Sequence, residues 1–143
     1  KGFASFTEII EKDNEKGVVI DMTEILKNDA ERAERTIRLV DNKDLVVSDM
    51  IQAPEDRSVS YTWRMTGNGE PVVGENGIVL KANGKTMYLR ADSNVKFEYC
   101  TWSTEPKMYY DDPNEGKYTV GIKAEIPAGR IGDFEVVISP DKK

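Results

Sequence analysis

Apolar and polar residues alternate most regularly between Ser58 and Ala91. Val59, Tyr61, Trp63 and Met65 fall at every second position, with Ser60, Thr62 and Arg64 between them. That is the period of a strand with one face in a core. Further on, Asn83-Gly84 interrupts a second alternating run. A two-residue hairpin turn needs positive φ at both positions, which Asn-Gly supplies readily, so the pair predicts a tight turn. The turn then fixes a register: Ala82 opposite Lys85, Leu80 opposite Met87 and Ile78 opposite Leu89. Leu80, Met87, Ile78 and Leu89 share one face, and Val79, Lys81, Thr86 and Tyr88 take the other. Gly67, Gly69, Gly74 and Gly77 lie between the two runs, with Val72-Val73 as a short edge strand. No Lys-Ser/Thr pair closes this stretch and no helix pattern follows it, so the glycines read as turn chemistry rather than a phosphate loop.

The rest of the chain repeats the pattern. Residues 2–10 read as a strand with Ala4, Phe6 and Ile10 on one face and Phe3 and Ile9 on the other. A charged loop over 11–17 leads into a β-branched strand at 18–22, which makes the opening a hairpin. Thr23 to Glu34 breaks the pattern. Thr23 suits a helix cap and Ala30 to Arg35 has good helix propensity, so a solvated excursion with a short helix is expected near 23–34. Strands at 35–40 and 45–51 flank a polar turn at 41–44. Others are predicted at 95–102, at 118–126 with Val120, Ile122, Ala124 and Ile126 inward, and at 131–139 with Phe134, Val136 and Ile138 inward. About ten short strands joined by hairpin-length loops predict an all-β fold, an antiparallel two-sheet β-sandwich forming one domain over 1–143.

Composition narrows the function. The chain has 143 residues, 38% of them hydrophobic, and no apolar run long enough to cross a bilayer or act as a signal peptide. It opens on Lys1-Gly2-Phe3 rather than Met, which leads to the expectation of a processed protein or a segment of a longer one. A net charge of -6 argues against nucleic acid, whose phosphates are met by Lys and Arg. There is no histidine and one cysteine, Cys100. This removes serine-histidine and cysteine-histidine nucleophile pairs and the usual zinc sites, and no cofactor is implied. Cys100 reads as a small buried thiol.

Few residues remain as candidates for recognition. Trp63 alternates into the core. Trp102, Tyr109 and Tyr110 sit near the Pro106 and Pro113 turns, where alternation fails, and their rings could stack on sugars or pack against another domain. Arg57, Arg64 and Arg90 have the fork geometry that grips a uronate carboxylate, with an ordinary surface or interface role as the simpler reading. Asp111, Asp112, Asn114 and Glu115 offer oxygen ligands that calcium accepts. Their spacing does not match an EF-hand loop, and a solvated turn accounts for them.

The order of these features resembles a known family. Gly17-Val18-Val19-Ile20-Asp21-Met22-Thr23, Ala33-Glu34-Arg35-Thr36-Ile37-Arg38-Leu39, Leu45-Val46-Val47-Ser48-Asp49 and Val59-Ser60-Tyr61-Thr62-Trp63-Arg64 are similar to the C-terminal β-sheet region of heparinase II/III-like polysaccharide lyases. The close of the chain, from Asp112-Pro113-Asn114 through Ile126-Pro127-Ala128-Gly129 to Val137-Ile138-Ser139-Pro140, resembles the ending of those chains. In that family a helical toroid and a β-sandwich region cleave acidic polysaccharides by β-elimination, with Tyr and His moving the protons. This chain has no His and no toroid, so no catalytic residue carries over. The resemblance implies a non-catalytic accessory domain at the C-terminal part of a multidomain protein, in a periplasmic or secreted setting. Its implied partners are the catalytic domains of the same polypeptide, and a glycan, with neither nucleic acid nor membrane. A domain of that kind is expected to carry an apolar or mixed patch bared by the missing partner. The alternative is an independent carbohydrate-binding module using Trp102, Tyr109, Tyr110 and Arg57.

Overall fold

The structure, a computed structural model, describes residues 2–142. Eleven strands follow in order: β1 (Ser5–Lys12), β2 (Glu15–Asp21), β3 (Arg32–Val40), β4 (Asp44–Gln52), β5 (Val59–Gly67), β6 (Glu70–Gly74), β7 (Gly77–Ala82), β8 (Lys85–Ser93), β9 (Phe97–Trp102), β10 (Tyr118–Ile126) and β11 (Ile131–Ser139). They form two antiparallel sheets. The larger has eight strands in the order β1-β2-β3-β4-β11-β8-β7-β6, and the smaller has three in the order β5-β10-β9. The fold is the expected all-β two-sheet sandwich, with the sheets very unequal in width.

The hairpin register is as predicted. Ala82 pairs with Lys85, Leu80 with Met87 and Ile78 with Leu89. Asn83 and Gly84 both adopt positive φ, at 52° and 72°, the twist that a two-residue turn demands. On β5 the alternation also holds. Tyr61 and Trp63 are buried and Val59 and Met65 are partly buried, while Ser60, Thr62 and Arg64 face solvent. Ile122 and Ile126 of β10 meet Phe134 and Val136 of β11 in the core between the sheets, together with Ile78, Leu89 and Trp63. Each fully buried side chain of this size contributes roughly 1.5 to 3 kcal/mol.

Three local expectations are corrected. The segment after β2 forms no α-helix among the described residues; it runs as a series of turns from Thr23 to Asn28 and Asp29. Thr23 does not cap a helix. Its Oγ1 accepts from the Ala33 N–H at 3.1 Å, and its own N–H donates to Asp21 Oδ1 at 2.9 Å. Ala33 is fully buried and Ala30 nearly so, and Arg32 already begins β3. Close packing of small side chains has overridden helix propensity here. The charged loop predicted over 11–17 shrinks to a tight turn, because Lys12 pairs with Glu15 and Gly17 lies within β2. A Cβ on Gly17 would overlap the Ile37 carbonyl oxygen, which explains a glycine inside that strand.

The third correction concerns β1. The pairing with β2 slips between Phe6 and Glu8, so Phe6 lies opposite Ile20 and Ile9 opposite Val18. This bulge adds one residue and turns the strand's alternation over. Phe6 and Ile9, predicted on opposite faces, therefore share one.

Candidate functional site

Cross-strand registers continue as rows across the eight-stranded sheet. One row runs Ile9, Val18, Ile37, Val47, Val136 and Ala91, from β1 to β8. All six side chains lie on the face that carries the smaller sheet. Exposure changes steeply along this row: Val136 is 1% exposed and Val47 6%, Ile37 and Val18 are partly buried, and Ile9 is 75% exposed. The neighbouring rows also expose apolar side chains, although the row through Leu39 turns polar beyond it, at Lys16 and Glu11. Phe6 lies beyond Ile20 at 76% exposure, and Leu39 and Leu45 are 40% and 36% exposed where Ile138 in the same row is buried. The three strands of the smaller sheet end their cover near β4. What remains is an uncovered apolar floor on β1, β2, β3 and the start of β4.

At the boundary between covered and bare floor sits a polar cluster. Asp49 of β4 is 3% exposed. Arg35 of β3 donates to it from Nε and Nη2, each at 2.7 Å, a bidentate pair. The Tyr61 hydroxyl of β5 donates to Asp49 Oδ2 at 2.5 Å. The Tyr61 ring stacks on Phe134, with centroids 4.0 Å apart and planes at 14°. The cluster thus ties the smaller sheet to two strands of the larger one. Hydrogen bonds to Asp49 hold the Arg35 guanidinium more firmly protonated than usual. Burial, reinforced by the Asp49 charge, pushes the Tyr61 hydroxyl well above its ordinary 10.0.

A tyrosine serves as a general base only when its pKa is lowered toward neutrality. Tyr61 is shifted the other way and spends its proton on Asp49, so the cluster is suited to clamping rather than proton abstraction. A raised folded-state value means that its contribution to stability is complete below pH 10 and is lost as pH climbs through the folded value. Tyr61→Phe is therefore expected to flatten the alkaline limb of a stability-versus-pH curve. At neutral pH it should cost about 1 to 3 kcal/mol, because Asp49 loses a donor. Urea midpoints measured at successive pH values check both.

The candidates read from the sequence fall at two separate places. Arg57 precedes β5 and donates to the Asn28 carbonyl at 2.5 Å and to Asp56 at 3.4 Å, holding the 23–29 turns against the start of that strand. Trp102 lies seven residues away along β10: it pairs with Thr119, whereas the start of β5 pairs with Ile126. At about 3.3 Å per residue this separates them by roughly 23 Å. The arginine beside Trp102 is Arg64, whose guanidinium carbon stands 4.3 Å from the ring centroid. Gly121 lies between them on β10, opposite both Arg64 and Cys100. A Cβ there would overlap the Trp63 carbonyl oxygen. Sequence reading had both members of the Arg64–Trp102 pair but not their adjacency, which depends on β10 lying between β9 and the distant β5.

Tyr109 and Tyr110 project from the loop after β9, at 98% and 68% exposure, with rings 5.2 Å apart edge to face. In the same loop Asp111 Oδ2 accepts the N–H groups of Lys107 and Met108, and Asp112 Oδ1 accepts that of Asn114. These carboxylates are turned toward their own backbone. Among the described residues no group of three or more His, Cys, Asp or Glu is placed to hold a metal ion. Burial pushes the Cys100 thiol up, away from the thiolate that a nucleophile requires. Arg90 lies on the larger sheet, and its buried Nη1 has no hydrogen-bond partner.

No family model and no curated protein matches this sequence. Comparison with solved structures gives close likeness of fold. A mutant of the heparan sulfate lyase HepC from Pedobacter heparinus superposes with a TM-score of 0.73 at 10% identity, over 95% of this chain and 21% of that one. A heparinase III superposes with a TM-score of 0.71 at 17% identity, over 98% of this chain and 21% of that one. Another heparinase III structure gives 0.69 at 15% identity over 95% of this chain. The chain thus has the fold of a segment of heparinase III structures and spans about one fifth of their length.

Proposed function

We propose that this chain is a non-catalytic structural domain of a polysaccharide lyase acting on acidic glycans. It packs through its bare apolar floor on the catalytic domains of the same polypeptide. The supporting observation is the exposure gradient along the row from Val136 to Ile9, in which one continuous apolar face passes from core to solvent with no change in residue chemistry. Isolated surface apolar residues are ordinary, whereas a contiguous patch next to a core is the usual mark of an interface. The absence of histidine, the raised tyrosine of the clamp and the raised Cys100 thiol all favour a chain without proton-transfer chemistry of its own. A periplasmic or secreted setting goes with this reading.

A second reading rests on the Arg64–Trp102 stack and the exposed Tyr109–Tyr110 pair, which together suit an anionic sugar. One experiment separates the roles. Incubated with heparan sulfate and other acidic polysaccharides, the chain should generate no ultraviolet absorbance from unsaturated uronate; formation of that product would overturn the non-catalytic assignment. In affinity gels containing the same glycans, unretarded migration is expected for a purely structural domain. Retardation that is abolished by Trp102→Ala or Tyr110→Ala would establish the second reading instead.

A further inference from the structure

Two opposite signals meet on β1. As the outermost strand of the larger sheet it pairs with β2 and, among the described residues, with no other strand. Such an edge invites a further strand, and proteins blunt it with bulges and charged side chains. β1 has both: Thr7 and Glu8 together stand against Val19, and Glu8, Glu11 and Lys12 flank Ile9 and Ile10. The strand is thus poorly suited to take another beside it. Its apolar side chains are not blunted in the same way. Phe6 and Ile9 are 76% and 75% exposed, well above Leu39 and Leu45, and both project on the floor side, opposite Ile20 and Val18. The bulge causes that placement. Residues three apart lie on opposite faces of a regular strand, and the extra residue returns Phe6 and Ile9 to one face. Their partners Ile20 and Val18 are two residues apart, which spaces the pair by roughly 7 Å. Without the bulge, one of the two would join Ile10 on the outer face of the sheet.

We infer that Phe6 and Ile9 are the anchors of the docking interface and enter an apolar recess on the rest of the longer polypeptide, which meets the floor face-on and leaves the β1 edge unpaired. This rests on the docking reading above and specifies its form. A few aromatic and aliphatic side chains that fill pockets on the partner carry most of the affinity of an interface. Glu11 and Lys16, one row beyond Ile9 and Val18, supply the polar rim at that end. A second copy of the chain is the poorer occupant, since each copy carries a net charge of -6 and like charge opposes self-association. The matched chains are nearly five times longer than the part this chain covers, which leaves ample polypeptide to form the recess.

Thermal unfolding of three variants, in the chain alone and in the longer polypeptide, tests this: Phe6→Ser with Ile9→Ser, Leu39→Ser at the centre of the floor, and Ile10→Ser on the opposite face of β1. The double variant should lower the melting temperature of this domain in the longer polypeptide by about 5 °C or more beyond its shift in the chain alone. Ile10→Ser should shift both proteins equally. Amide hydrogen exchange supplies the second readout: the β1 amides that do not bond β2 should exchange equally fast in both proteins. An excess shift for Leu39→Ser with none for the double variant would overturn the anchors and leave docking intact. No excess shift for either would overturn both. Slowing of those β1 amides by about a hundredfold in the longer polypeptide would overturn face-on docking in favour of an added strand. Dimerisation of the chain alone in sedimentation, abolished by the double variant, would overturn the choice of occupant.

Discussion

Asp49→Ala is expected to destabilise the domain by about 3 to 5 kcal/mol, the range for breaking a buried ion pair from one side. Three groups converge on this carboxylate: Arg35 Nε, Arg35 Nη2 and the Tyr61 hydroxyl, at 2.7, 2.7 and 2.5 Å. Alanine leaves the guanidinium largely shielded from water without a counter-charge, and leaves a phenol with no acceptor. The loss is structural as well as electrostatic. Tyr61 stacks on Phe134, and in its cross-strand row Arg35 stands between Asp49 and the apolar pair Ile20 and Phe6, so the cluster ties the smaller sheet to the edge of the bare floor. Replacing Asp49, Arg35 and Tyr61 together by apolar residues of similar size should cost less than Asp49→Ala alone, since no orphaned charge remains. Urea unfolding of the two variants checks this; a loss below about 1 kcal/mol for Asp49→Ala would mean that the cluster does not clamp the sheets.

Much of the fold was legible because it is local. The alternation in β5 and the Asn83-Gly84 turn each state a face and a register within a few residues, and both were met in the structure. Non-local features were not legible. Nothing near β11 shows that it inserts between β4 and β8, or that β10 separates β9 from β5. That is why Trp102 was linked with Arg57 rather than with Arg64. The β1 bulge was hidden for another reason. One inserted residue at a strand edge leaves composition unchanged yet turns Phe6 to the face of Ile9. The expected bare patch was a consequence of resemblance, and its location had no sequence signal. Val18, Ile37 and Leu39 alternate as any half-buried strand residues do, and only the width of the opposing sheet decides which of them are covered.

The most direct measurement places charge on the floor. Ile9→Lys with Leu39→Lys puts two ammonium groups where the structure leaves 75% and 40% of the side chains exposed. In the chain alone both can remain in water, so the pair should cost no more than about 1 kcal/mol and shift the melting temperature by only a few degrees. On the proposed reading, in a longer polypeptide the same groups would be buried against an apolar partner, and each would carry a desolvation cost of several kcal/mol. Thermal unfolding of both proteins, wild type and variant, gives the comparison. The expected result is a large loss in the longer polypeptide, with this domain melting separately from the rest, beside a near-neutral effect in the chain alone. Equal, small shifts in the two would contradict docking through this face.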